Sequence, residues 1–253
     1  MTLGLCSVTF RPLSVDAILK LAAEAGIGAI EWSGDVHVPP HDLPLAREVG
    51  ERTRALGIAA PSYGSRYFLG SFGDFEAESR TAEALGASCV RAWAGHKEPS
   101  EITREEYATL LQDTVRCADI CATRGQTLCL EYHVATHTAT PEGAVRLIRD
   151  TQRSNVGTYF QSMYWHTPTA EGVHAEDLRA ISLILPHLAH VHVYLRDGRL
   201  HRPLAEGRHL WRELVSAMGD RVYYLEFVKD GSPQQFLADA RVLREILAEA
   251  TPS

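Results

Sequence analysis

Eight short runs rich in Val, Ile, Leu, Tyr and Cys, each followed by a longer amphipathic segment, recur at a mean spacing of 31 residues through this 253-residue chain. They begin near Gly4, Gly28, Ile58, Ser88, Thr127, Val156, Leu188 and Arg221. That spacing holds one strand, one helix and two short loops, the repeat of a parallel βαβ unit. Near-continuous apolar strands of this kind are buried on both faces, as they are when helices cover a parallel sheet. Eight such units in about 250 residues is the size of an α/β (β/α)8 TIM barrel. No low-complexity tract or Ser/Pro-rich linker divides the chain, so residues 1–253 read as a single barrel domain.

The helices between the runs have recognisable ends. Ser14 is placed to cap a helix that stops at Gly26, and Thr103 opens one running toward Gly125. Thr140-Pro141 and Ser232-Pro233 each set a capping hydroxyl before a proline at the first helical position. The longest irregular stretches, residues 32–44, 62–74 and 196–207, all follow strands. Loops in that position belong to the functional face of such a barrel.

Charge and cysteine usage narrow the setting. With 25 Lys+Arg against 32 Asp+Glu, the net charge is -7, and no basic tract suits a phosphate backbone, so nucleic acid is not an expected partner. The first residues, Met1-Thr2-Leu3-Gly4-Leu5, lack a positive n-region and do not read as a signal peptide. The most apolar stretch, 181–195, is too short for a membrane span and is broken by Pro186, His187, His190 and His192. Five cysteines, Cys6, Cys89, Cys117, Cys121 and Cys129, show no CxxC spacing, which suits reduced thiols and a cytoplasmic location. Cys117 and Cys121, four apart on an expected helix, read as small buried residues in preference to a metal pair.

Against this apolar background, ionisable residues at the strand ends stand out. An unpaired charge in a strand buried on both faces costs several kcal/mol, roughly, so each needs a partner or a metal. Glu31 closes the second run, Arg91 lies in the fourth, and Glu131 ends the fifth, followed by Tyr132 and His133. Gln161 ends the sixth, His192 lies in the seventh and Glu226 in the eighth. Strand alternation puts Glu131 with His133, and His190 with His192 and Tyr194, on common faces. If those faces open into the barrel mouth, two carboxylates, an imidazole and an amide oxygen converge there. That donor set suits Mn2+, Mg2+, Co2+ or Zn2+ with positions left for substrate oxygens. Taken singly, each buried glutamate is equally explained as a partner of Arg91; their recurrence at corresponding strand ends favours the metal.

The segments Glu131-Tyr132-His133, Ala189-His190-Val191-His192, Arg202-Pro203-Leu204-Ala205-Glu206-Gly207 before the Trp211 helix, and Leu225-Glu226-Phe227 resemble the xylose isomerase-like TIM barrels. More closely, they resemble the sugar phosphate isomerase/epimerase group that includes D-tagatose 3-epimerase-type enzymes and hydroxypyruvate isomerase. The resemblance covers essentially the whole chain and is specific to the superfamily, not to a substrate. It implies a metal-dependent ketose or polyol isomerase or epimerase, working as a homodimer or homotetramer on a small sugar. It implies Glu131, Gln161, His192 and Glu226 as metal ligands and Glu131 with Glu226 as the acid/base pair. A lyase or dehydratase on the same scaffold is the alternative within it.

One position departs from the family pattern: Gln161 stands where aspartate is usual, and the His three residues on is here Tyr164, with His166 two further. A neutral amide leaves two carboxylates in place of three and weakens the site for a hard cation, so a non-catalytic sugar-binding barrel stays open. For substrate contacts the candidates are His133, Arg91, Trp93, His37, His166 and Arg196. His133 equally reads as an orienter of Glu131, and Arg91 as the neutraliser of buried acids. Trp32, Trp93 and Trp165 offer aromatic faces to sugar C–H surfaces, or pack in the core. His37, Arg196 and Arg199 sit in long loops where they could meet an anionic group. No glycine-rich nest or helix amino terminus suited to phosphate stands out, which favours a non-phosphorylated polyol.

Overall fold

The computed structural model describes residues 1–162 and 172–250, apart from the side chains of residues 172 and 173. Eight parallel strands close into a barrel: β1 (Thr2–Cys6), β2 (Ala29–Ser33), β3 (Ala59–Phe68), β4 (Cys89–Trp93), β5 (Thr127–Leu130), β6 (Val156–Phe160), β7 (Leu188–Val193) and β10 (Val222–Leu225). The helices that follow them in turn are α1 (Val15–Glu24), α2 (Leu43–Ala55), α3 (Phe75–Leu85), α4 (Arg104–Ala122), α5 (Pro141–Thr151), α6 (Gly172–Ile184), α7 (Arg208–Met218) and α8 (Pro233–Ala250). This is the (β/α)8 barrel expected from the repeat, with every strand starting within two residues of the expected position. No described helix is long and apolar enough to cross a membrane.

The caps read from the sequence form as bonds. The Ser14 hydroxyl accepts from the Ala17 amide, and Thr103 with Glu106 completes a reciprocal capping box. Thr140 accepts from the Gly143 amide and Ser232 from the Gln235 amide. Cys117 and Cys121 are fully buried on α4 within the main core, as small apolar residues would be.

Two of the stretches expected to be irregular are strands. β3 continues through Phe68, taking in half of residues 62–74. Its Ser, Gly and Arg content hides the pattern, because Ser62 and Ser65 are buried by hydrogen bonding, to the Glu31 carboxylate and the Arg91 carbonyl respectively, and not by apolar contact. Residues 196–207 contain most of a β-hairpin, β8 (Leu195–Asp197) with β9 (Leu200–Arg202), closed by a two-residue loop with Gly198 at φ 55.

Barrel closure rests on the β1–β10 pairing, in which Gly4 lies opposite Tyr224. A methyl on Gly4 would run into the Tyr224 ring. That ring lies edge to face with His190, which meets Tyr159 in the same way at 5.3 Å. Large rings on some strands and a bare backbone on another fill the narrow interior, as layer packing in such barrels requires. Gly4→Ala should therefore destabilise the protein by about 1–3 kcal/mol through overpacking, although alanine suits a strand better than glycine. Urea denaturation of the two proteins measures this, and an unchanged midpoint would disprove the packing argument.

Candidate active site at the carboxyl ends of the strands

Strand register assembles the site. Cys6, Glu31 and Ser62 occupy one row across β1, β2 and β3, while Arg91 pairs with Gly64 on one side and Cys129 on the other. Glu31 accepts a hydrogen bond from Ser62 Oγ at 2.7 Å and one from Arg91 Nε at 3.1 Å. Arg91 Nη1 also donates to Glu131 Oε2, which takes the Trp93 indole N–H as well. One guanidinium thus joins carboxylates from β2 and from the end of β5. Gly64 makes room for it, since a Cβ there would lie 2.7 Å from Arg91 Nη2 and 3.1 Å from Glu31 Oε1.

His192 stands between two more carboxylates. Its Nδ1 is 3.3 Å from Glu226 Oε2 and its Nε2 is 3.5 Å from Glu31 Oε1, yet neither ring nitrogen has a hydrogen-bond partner in suitable geometry. Donor atoms of Glu131, His192 and Glu226 lie within 4.8 Å of one another, and so do those of Cys6, Glu31 and His192. Burial raises the Glu31 carboxyl, but Arg91, His192 and Ser62 outweigh it and hold the group well below the usual carboxylate range. Glu226 is likewise held low, burial being outweighed by His192 and Arg91. Burial pushes His192 down, while Cys6, Glu226 and Glu31 push it up and prevail. Burial keeps Cys6 a neutral thiol, so the two carboxylates supply the effective charge.

Three glutamates, each no more than 6% exposed, thus share one buried arginine. The excess negative charge favours a proton on His192 or, equally, a dication between its Nδ1 and the neighbouring carboxylates. Gln161 donates from Nε2 to the Tyr132 carbonyl at 2.5 Å, which assigns the nitrogen to that bond and leaves the amide oxygen as the atom for a cation.

A cavity of about 270 Å³ opens at the barrel mouth; Arg91, Glu131, Gln161 and Glu226 line it, while Glu31 and His192 are buried outside its lining. Of the residues singled out in the sequence, Glu131, Gln161, Glu226, Arg91, Trp93, His133 and Arg196 border it. His133 stacks on Trp93 at 5.0 Å, with Nδ1 against the Val134 carbonyl. Arg91 has the acid-neutralising role. His37 corrects the expectation of a substrate contact: it is buried away from the cavity, with Nδ1 on Ser7 Oγ at 3.0 Å and Nε2 on the Leu13 carbonyl at 3.2 Å. Trp32 takes the packing alternative, its indole bonded to Thr53 in the core. Arg199 borders a separate groove with Leu200 and Lys229. Tyr164, Trp165 and His166 lie outside the described residues.

The sequence reading missed Arg11, Asp35 and Arg66 at the cavity edge, and the part Glu31 plays beside His192. For Glu31 a signal existed, its place at a strand end; the other three meet only because β1, β2 and β3 pair side by side. Beyond β10, the Glu226 amide extends the ladder to the Val193 carbonyl, and Phe227 then turns into the left-handed region at φ 54. Such a conformation costs a non-glycine residue on the order of 1–3 kcal/mol and clusters at functional sites.

The profile of a family described as xylose isomerase-like TIM barrel matches residues 19–246. No curated protein matches the sequence. Among solved structures, the probable 3-DHS dehydratase AsbF of Bacillus anthracis is similar with a TM-score of 0.80 at 17% identity, over 96% of this chain and 99% of that one. The IOLI protein with a zinc atom gives 0.77 at 16% identity over 100% of both chains. D-psicose 3-epimerase in the presence of D-fructose gives 0.68 at 17% identity over 98% of both.

Removing Arg91 strands two buried carboxylates, which should lower stability by about 3–5 kcal/mol in Arg91→Met. Adding Glu31→Gln removes one of the stranded charges, so the double variant should be more stable than Arg91→Met alone. Denaturant titration of the four proteins in the cycle tests this. Additive losses would mean that the pairing carries no energy.

Proposed function

Because the chain belongs to the xylose isomerase-like TIM barrel family, we propose that it is a metal-dependent isomerase or epimerase of a ketose or polyol, working by proton transfer between adjacent carbons. The observation that carries this reading is the convergence of Glu131, His192 and Glu226 donor atoms within 4.8 Å, around an imidazole whose nitrogens lack hydrogen-bond partners. An orphaned, fully buried imidazole among excess carboxylates is what a divalent cation would complete. The residues therefore fit the metal, and Glu131, Gln161, His192 and Glu226 would hold it. When bound, the cation supplies Lewis acidity that makes the carbon next to a substrate carbonyl more acidic.

The protein's own groups do the rest. Glu226, held ionised by His192 and Arg91, borders the cavity in the form that accepts a proton. Both Arg91 and Trp93 bind Glu131 through Oε2, which fixes that carboxylate and leaves Oε1 to meet a ligand. Carboxylates from β5 and β10 reach the same cavity, so one can remove a proton and the other return it. Trp93 and the stacked His133 give the cavity a flat wall suited to sugar C–H groups. The solved structures named above, one carrying zinc and one an epimerase in the presence of D-fructose, support this reading by their shared fold.

Elemental analysis of protein purified without chelator should find about one divalent ion per chain, lost in Glu226→Gln. Gln161→Asp restores a third carboxylate and should tighten metal binding by roughly tenfold or more, as an added charge at a hard-cation site does. In deuterated water, an isomerase or epimerase incorporates solvent deuterium at carbon without losing water, whereas a dehydratase releases water. Absence of metal in the wild type, even after incubation with Mn2+, Co2+ or Zn2+, would leave the non-catalytic sugar-binding barrel in its place.

A further inference from the structure

Above the acidic floor of the cavity, the charge reverses. Among the described residues lining it, Arg11, Arg66 and Arg196 come from three different segments, the turn after β1, the far end of β3 and the β8–β9 hairpin, with Asp35 as the accompanying acid. Asp35 Oδ2 accepts from Arg11 Nη2 at 2.7 Å and from Arg66 Nη1 at 3.2 Å, while Oδ1 takes the Ser33 hydroxyl at 2.5 Å. One carboxylate oxygen therefore holds two guanidiniums side by side, and Asp35 itself is only 11% exposed. Among the described residues, two guanidiniums, Arg11 and Arg66, meet one carboxylate, Asp35, which leaves this corner of the rim positive, over a floor where three glutamates share one arginine.

From this segregation we infer that the substrate carries a carboxylate, bound at the arginine rim, at the end of the molecule away from the reacting carbons. The inference deepens the isomerase reading and rests on it for the role of the floor. A neutral polyol gives a guanidinium fork only weak acceptors, whereas a carboxylate matches its paired N–H groups. A carboxylate held at the rim leaves the other end of the molecule facing the floor, so the rim orients an acid in one direction. Carboxylate is favoured over phosphate because no described lining residue opens an α-helix and none is a glycine, so the backbone N–H cradle that phosphate prefers is missing from the described lining. Segregated charge of this kind also steers an anionic ligand into a cleft.

The experiment compares acids with neutral counterparts of similar shape by calorimetry: glycerate with glycerol, D-gluconate with D-glucitol, and quinate with myo-inositol, with glycerol 3-phosphate as the phosphate probe. The Mn2+-incubated wild type is expected to bind at least one acid about tenfold more tightly than its neutral partner, the size of one charge-assisted contact, and the preference should shrink as salt rises. In Arg11→Gln/Arg66→Gln the preference should fall to near parity while neutral binding stays unchanged. Arg66→Ala alone, which keeps the Arg11–Asp35 pair, should give an intermediate loss, and thermal melting checks that each variant is folded.

If no acid exceeds its neutral partner, including the case in which none binds, the inference is overturned. Survival of the preference in the double variant overturns it too, as does tighter binding of glycerol 3-phosphate than of glycerate. Metal content, measured on the same samples, separates this test from the isomerase reading. An arginine-dependent acid preference in protein that holds no metal sinks the metal site and leaves the rim standing; bound metal without the preference does the reverse.

Discussion

A single guanidinium buried in the barrel mouth, Arg91, makes the rest of the site sustainable. It ties the carboxylate of β2 to that of β5 across β3 and β4, in a position where unpaired carboxylates would cost several kcal/mol each, roughly. Its space is created by the absence of a side chain at Gly64 on the neighbouring strand, so a backbone choice on β3 is coupled to charge placement on β2, β4 and β5. Once Arg91 has neutralised part of the charge, Glu226 and His192 can be buried a few ångströms away with their own imbalance unresolved. That unresolved negative charge is the property a divalent cation uses.

The cavity is polar along its axis. Below are Glu31, Glu131, Glu226 and His192, with an aromatic layer of Tyr159, His190 and Tyr224 beneath them. Above are the rim arginines, gathered around Asp35. A barrel makes this division natural, because strand ends present rigid, register-locked side chains while the loops that follow present longer, more adjustable ones. The floor carboxylates and His192 sit on or just past strands; of the rim arginines, Arg66 stands near the far end of β3, Arg11 on a turn and Arg196 on the hairpin.

Much of the fold was legible because its cause is local and periodic. The spacing of apolar runs, the capping hydroxyls at Ser14, Thr103, Thr140 and Ser232, and the glycines after helices all act within a few residues, and each reappears in the structure where it was read. The extended half of β3 was not legible, because its inward Ser62 and Ser65 are buried through hydrogen bonds to Glu31 and to the Arg91 carbonyl, distant partners that leave no apolar periodicity. His37 misled for the converse reason: a histidine in a loop after a strand looks available, but Ser7 and the Leu13 carbonyl, brought close by the neighbouring β1 unit, occupy both its nitrogens.

The sequence by itself determined the barrel, the strand ends at which polar groups gather and the identity of Glu131, Gln161, His192 and Glu226 as residues out of place in an apolar setting. These follow from residue type and spacing along one chain segment at a time. Tertiary structure alone decided that Arg91 would serve two carboxylates at once, that His192 would be left between Glu226 and Glu31 without hydrogen-bond partners, and that Arg11 and Arg66 would meet on Asp35. Each of these joins segments from 24 to 161 residues apart along the chain. Electrostatic coupling depends on distance through space, and only the pairing of strands into the barrel sets those distances.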